Sequence, residues 1–318
     1  MANKIVSMDL YNHLKTSETF GVVHSKFNRS INILLHDDTL VTLLTDTKDV
    51  APMSVVCDHK TFNALNINIG DHISTTDMKF YLKDKILVDI GDYVTWEKID
   101  KSKLVKHDLD KHKILVDILY KRIIETGNLD GIGAVVYFFD EDVIKSVKVE
   151  NLDIEKNHYV NFILERLERF INDYKNCCFP KIEESFVKII GFGPGLTPSV
   201  DDFICGLFSA SRNLCEFYDV SDNYILELGE MLVKKLHLRT TRISEEMIRH
   251  CFQNNISRTY DVLLTTLLYE TKEELDASIS KVIEFGDTSG TDFLAGVYTA
   301  CRLFEEYTIR RKFDGCKV

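Results

Sequence analysis

Between Ile189 and Phe203 the chain reads IIGFGPGLTPSVDDF, which sets two of its four prolines and three of its fifteen glycines ahead of two adjacent carboxylates, Asp201 and Asp202. Glycines such as Gly193 and Gly195 let a backbone approach a ligand or take positive φ, and Pro194 and Pro198 stiffen the loop between them. A loop of this kind before a helix N-terminus offers free N–H groups to an anion, with the Thr197 and Ser199 hydroxyls as further donors. No Gly-Lys-Ser/Thr follows, so this is not a Walker loop, and a tight helix-joining turn is the structural alternative. Carboxylates repel an anion. Asp201 and Asp202 therefore hold a bridging Mg²⁺, or accept hydrogen bonds from an amide-like N–H₂ while the loop takes the substrate's oxygens.

Part of the motif recurs. SVDDFICGLFSASR (199–212) aligns with SGTDFLAGVYTACR (289–302), matching Ser199, Asp202, Phe203, Gly206, Ala210 and Arg212 to Ser289, Asp292, Phe293, Gly296, Ala300 and Arg302. Two related helices follow from this, with Gly206 and Gly296 expected at their crossing about a local pseudo-twofold. Helix capping accounts for Ser199 and Ser289 as N-caps with Asp202 and Asp292 three residues on. On that reading Asp201, replaced by Thr291 in the second copy, is free for work peculiar to the Gly-Pro loop. Between the copies, HLRTTRISEEM carries Arg239, Thr241 and Arg242 just before Ser244, a plausible N-cap; the set suits a carboxylate or phosphate, or is a solvated basic loop.

Elsewhere the chemistry is sparse. The ten histidines form no HExxH or i, i+4 pair, and the eight cysteines show no ligand spacing, so no metal ligand is assigned and the thiols are expected to be reduced. A net charge of −11 argues against nucleic acid or an anionic membrane as partner, and no apolar run approaches a membrane span or a secretory signal. A cytoplasmic protein is expected.

These residues need elements to hold them. Residues 19 to about 98 alternate short runs rich in Val, Ile, Thr, Phe and Tyr with polar turns, the pattern of a small barrel or sandwich. Apolar residues then recur at helical spacing from Leu104 to Ile124, with Gly127 as a stop, and GIGAVVYFFDED (131–142) reads as one more strand. Beyond 150 the periodicity is helical nearly throughout. The class is α+β, with a β-rich domain over 1–150 and a helical domain over 151–318 carrying the repeat.

GFGPGLTPSVDDFICGL, then RTTRIS, then GDTSGTDFLAGV together resemble the AllH-like family, associated with a subunit of oxamate carbamoyltransferase. The resemblance implies phosphorolysis of oxalurate to oxamate and carbamoyl phosphate in allantoin breakdown, with AllG-like and FdrA-like subunits as partners. It carries over Gly193, Gly195, Thr197, Ser199, Asp201 and Asp202, with Thr241 and Ser244, and Ser289, Gly290 and Asp292. One departure stands out: Val200 occupies a slot where the family usually has Gly, and the second copy has Gly290 there. For carbamoyl transfer, Thr197, Ser199 and Asp201 would act at the reacting group, and Arg239 and Arg242 would neutralise the second anion.

Overall fold

The alternating segment of the chain folds as one sheet. In a computed structural model, which describes residues 4–16, 18–47, 50–139 and 158–313, the chain divides into two compact units. One runs to Ile99 and includes Asn255–Asp261; the other holds Asp100–Asn254 and the residues from Val262 on. The contact division thus falls at Ile99, ahead of the composition change near 150.

The first unit is a curled half-barrel of nine strands: β1 Ile5–Ser7, β2 Thr19–Lys26, β3 Ser30–Leu35, β4 Leu40–Leu44, β5 Ser54–Val56, β6 His72–Thr76, β7 Lys79–Leu82, β8 Lys85–Asp89 and β9 Val94–Trp96. They lie in the order β8-β7-β6-β2-β3-β4-β5-β1-β9, mostly antiparallel, with β4–β5 and β1–β9 parallel. Side chains alternate across each strand, so Val23, Ile33, Val41, Ile73 and Phe80 meet inside with Leu10 and Leu14 of the helix α1, Met8–Thr16. Two hairpins turn on paired residues of positive φ, Asp77–Met78 and Lys83–Asp84, the twist that matches antiparallel strands.

The second unit is helical: α2 Leu109–Thr126, α3 His158–Lys175, α4 Phe179–Phe186, α5 Ser199–Phe217, α6 Asn223–Val233, α7 Arg242–Phe252, α8 Arg258–Leu268, whose first residues group with the sheet, α9 Leu275–Ile283 and α10 Ser289–Phe313. The expected strand at 131–142 is not one. Gly133–Phe139 is a 3-10 helix, and residues 140–142 lie outside the described residues. Ala134 and Tyr137 are buried against Tyr120, Ile124 and Leu129, and a short run buried on all sides carries no period to separate strand from helix.

The two repeat helices, α5 and α10, form the centre. α5 is buried from Ser199 to Ser211 without a break, as expected of a helix apolar on every face. A Cβ on Gly206 would lie 2.0 Å from the Phe293 carbonyl oxygen, and one on Gly296 would lie 2.1 Å from that of Phe203. Each glycine therefore meets the counterpart of the residue that meets its own counterpart, the signature of a pseudo-twofold. The hydroxyls at both N-termini also meet, and Tyr218 stacks on Phe304 beyond the crossing, so the helices run side by side in one direction. Among the described residues no helix is long and apolar enough to cross a membrane.

Candidate functional site

Because α5 and α10 run parallel, their two N-termini open on the same place, and the positive ends of two helix dipoles converge there. Thr197 Oγ1 lies 3.0 Å from Ser289 Oγ, and Ser199 Oγ lies 3.5 Å from Thr288 Oγ1, so each copy's hydroxyls reach across to the other's. The lead-in takes positive φ at Gly191, Gly193 and Gly195, at 78°, 125° and 92°. At Gly193 a side chain would also collide with Ser199, a Cβ coming 2.4 Å from its nitrogen; at Gly195 only the backbone conformation demands glycine. The N–H groups of Gly193, Gly195, Leu196, Thr197 and Ser199 donate to no protein acceptor among the described residues, and Pro194 and Pro198 have none to give. The segment from Pro194 to Leu196 is exposed. Such a row of donors can receive an anion's oxygens.

The capping arrangement expected from the sequence is corrected. Pro198, not Ser199, is the N-cap of α5, and no side chain caps it. That one-residue shift places Asp201 in the third helical position. Its Oδ1 accepts from Gly191 N–H at 2.6 Å, and its Oδ2 accepts from the Ser244 hydroxyl at 2.5 Å and from the Thr240 hydroxyl. Ser244 is likewise not a cap. Thr241 caps α7, accepting from Ser244 N–H at 3.1 Å while its hydroxyl donates to the Leu196 carbonyl at 2.5 Å. Asp201 thus fastens the Gly-Pro loop to the 240–244 turn. Burial raises its pKa, opposed by the hydrogen bonds from Ser244, Thr240 and Gly191.

Asp202 and Asp292 sit differently. Asp202 is 2% exposed and Asp292 fully buried, and Oδ2 of each has no hydrogen-bond partner. Burial pushes the Asp202 carboxyl well above the usual range, reinforced by the charge of Asp292 and offset by the Ser289 hydroxyl. Asp292 rises to about 7, again chiefly through burial, against hydrogen bonding from Ser199, Thr288 and the backbone of Ile132 and Gly133. Two buried carboxyls at the meeting point of the repeat are therefore disposed to hold protons near neutral pH.

A third segment, read in the sequence only as a helix stop and the start of a strand, covers the second copy. Asn128 N–H donates to Thr291 Oγ1 at 3.0 Å, Ile132 N–H donates to Asp292 Oδ1 at 2.7 Å, and a Cβ on Gly131 would lie 2.4 Å from Asp292 Oδ2. The signal was there in GNLDGIG, three glycines in seven residues. Gly290 packs against α9: a Cβ would come 1.9 Å from the Val282 carbonyl oxygen.

The arginines stand apart. Arg242 pairs with Glu246 at 2.7 Å, while Arg239 is exposed, donates to the Lys235 carbonyl and meets no carboxylate among the described residues. Among the described residues no three His, Cys, Asp or Glu side chains gather as metal ligands. A mainly apolar cavity of about 240 Å³ lies at the other end of the repeat helices, between Tyr174, Cys215, Tyr224 and Phe304, away from these donors.

Residues 189–301, which span both copies of the repeat, match the family described as oxamate carbamoyltransferase subunit AllH, and residues 3–95 match the AllH family N-terminal domain. No solved structure matches the chain. The two matches together cover most of the sequence, and the chain belongs to the AllH family.

Proposed function

We propose that the paired N-termini of α5 and α10 form the carbamoyl-transfer site of an oxamate carbamoyltransferase, acting with AllG-like and FdrA-like subunits in the cytoplasmic breakdown of allantoin. A phosphate oxygen attacks the terminal carbonyl carbon of oxalurate, the bond from that carbon to the inner nitrogen breaks, and the proton of hydrogen phosphate passes to that nitrogen. The products are carbamoyl phosphate and oxamate. No covalent enzyme intermediate is needed, so the protein's task is alignment and charge stabilisation.

The unpaired amides of Gly193 to Ser199 carry this reading: they supply the anion site for phosphate. Thr197 and Ser199 stabilise the carbamoyl oxygen as charge develops, and Arg239, without a carboxylate partner among the described residues, offsets the second anion. Arg242 is engaged by Glu246 and contributes less. Asp201 holds the loop in shape and does not touch the reacting group, a different role from the one its position in the sequence suggests.

The test is oxalurate-dependent formation of carbamoyl phosphate, read as ATP made by added carbamate kinase, with this chain alone and with its partners. Activity that needs this chain and falls by roughly a hundredfold in Thr197→Ala supports the reading. Activity untouched by loop substitutions would make the chain a scaffolding or metabolite-binding subunit, and dependence on added Mg²⁺ would bring a metal into the mechanism.

A further inference from the structure

We propose that the two orphaned oxygens, Asp202 Oδ2 and Asp292 Oδ2, are the acceptors for the N–H₂ of the carbamoyl or ureido group, one hydrogen to each, and so make the site selective for carbamoyl over other acyl groups. The inference rests on the anion-site reading above and adds the chemistry of the second half of the substrate.

The polar inventories match. A carbamoyl group bound next to phosphate brings two N–H donors and one carbonyl acceptor. Ahead of the repeat helices the chain offers unpaired N–H donors and hydroxyls for oxygens, and two carboxyl oxygens with no partner. A buried acceptor without a donor is costly, so a native structure that keeps two of them at one place reserves them for something. They belong to equivalent residues of the two copies, and the two hydrogens of a planar N–H₂ group are equivalent in the same sense. Gly131 lets the Asp292 carboxyl pack directly against the backbone, since a methyl there would lie 2.4 Å from Oδ2.

The half-buried hydroxyls of Thr197, Thr288 and Ser289 meet hydroxyls of the opposite copy and also bond to the carboxyls, Thr197 and Ser289 to Asp202 and Thr288 to Asp292. A substrate that reaches the aspartates parts these hydroxyl contacts and turns the hydroxyls toward its own carbonyl oxygen. An acetyl or carboxylate group in the same place would bring no N–H and would leave both carboxyl oxygens unpaired.

The experiment is calorimetric titration of the full chain with three probes: inorganic phosphate, phosphonoacetamide and phosphonoacetate, all in EDTA and then repeated with Mg²⁺. The expected result is that the amide binds tighter than the acid by on the order of tenfold to a hundredfold, the penalty for unpaired buried polar groups. Asp202→Asn and Asp292→Asn should each abolish that preference without lowering phosphate affinity, because an Asn amide can donate to the acid probe. Phosphate binding with equal affinity for the two phosphonates in the wild type would overturn the inference and leave the anion site standing. A preference that survives both substitutions, or that exists only with Mg²⁺ present, would also overturn it. Failure of all three probes to bind would defeat the anion site and this inference together.

Discussion

The two copies of the repeat share a frame and differ in what is fastened to it. In both, the serine, the second acidic position and the small residue one turn on face the same centre: Ser199 and Ser289, Asp202 and Asp292, Gly206 and Gly296. The residue before the shared aspartate differs, and in each copy it ties down a different outside segment. Asp201 holds Gly191 and the 240–244 turn, whereas Thr291 accepts from Asn128 in the 127–133 segment. Equivalent positions do the symmetric work, and the positions that break the equivalence attach the loops that make one side a donor row and the other a cover.

Val200 and Gly290 show the same logic. Gly290 is required by closeness, since the Val282 carbonyl of α9 sits where its Cβ would be, and its φ is not positive. Val200 has no such neighbour; it is buried within helix α5 and its N–H donates to the Phe192 carbonyl at 3.0 Å. A β-branched residue fits a helical position that needs no left-handed backbone, so its presence there leaves the loop undistorted.

If the shared frame is what holds the copies together, breaking it should cost most. Gly206→Ala or Gly296→Ala puts a methyl onto a carbonyl oxygen of the opposite helix, and each should lose about 3 kcal/mol or more in chemical denaturation. A loss near that of an ordinary helix Gly→Ala change would mean the helices part easily and the pseudo-twofold contact is incidental. Next comes the asymmetric fastening. Asp201→Ala leaves the Gly191 N–H and the Thr240 and Ser244 hydroxyls without their acceptor, and should cost about 2–3 kcal/mol. Asp202→Ala removes a repelled carboxyl that has an orphaned oxygen and should cost less. Melting curves in which Asp202→Ala falls further than Asp201→Ala would reverse the assignment.

The sequence makes the shared frame visible and hides the fastenings, for a physical reason. Gly206 and Gly296 sit at one place in an ungapped alignment, and small residues at matched positions of two helices signal a crossing. Asp201 and Asp202 are adjacent, and which one faces the lead-in depends on whether α5 starts at Ser199 or one residue later. That is a matter of backbone geometry at Pro198, which no residue pattern encodes. The half-barrel is legible from alternation over β2 to β8, although its two-residue hairpin turns lack the usual Asn-Gly signal. The 3-10 segment at Gly133–Phe139 was read as a strand because burial on every side erases periodicity. α4 is only eight residues, too short for its stripe to stand out.

The buried aspartate pair gives the comparison a pH dependence. Asp292 has a folded pKa near 7, above its ordinary value of 3.8, so between those values the folded state binds more protons than the unfolded state. Stability from this group is therefore greatest below about pH 4, declines as the pH rises and levels off above about pH 7, and Asp202 shifts in the same sense. Asp292→Asn keeps an acceptor for Ile132 N–H and removes the titration. The wild type should lose on the order of 2 kcal/mol more than this variant between about pH 5 and pH 8, measured by urea unfolding at each pH. Parallel pH profiles for the two proteins would show that Asp292 ionises at an ordinary pKa and that the centre is wetter than its burial indicates.

The smallest effect should come from Gly195, and it separates a loop shaped for a ligand from one shaped for packing. Gly193 and Gly290 are glycines because neighbouring atoms occupy the Cβ position; Gly195 has no atom within 4 Å of that position, and only its φ of 92° excludes a side chain. Nothing in the folded protein presses on it. Gly195→Ala should accordingly cost only about 1 kcal/mol, the price of a strained backbone, while Gly193→Ala costs more because it also drives into Ser199. If the positive φ serves to turn successive N–H groups toward a common point, relieving it will swing the Gly195 and Leu196 amides apart, and phosphate affinity should fall by roughly tenfold although both N–H groups remain. A Gly195→Ala variant that melts slightly lower yet binds phosphate as the wild type does would show that the loop's conformation serves the turn alone, and the donor row would have to be sought nearer the helix ends, at Thr197 and Ser199.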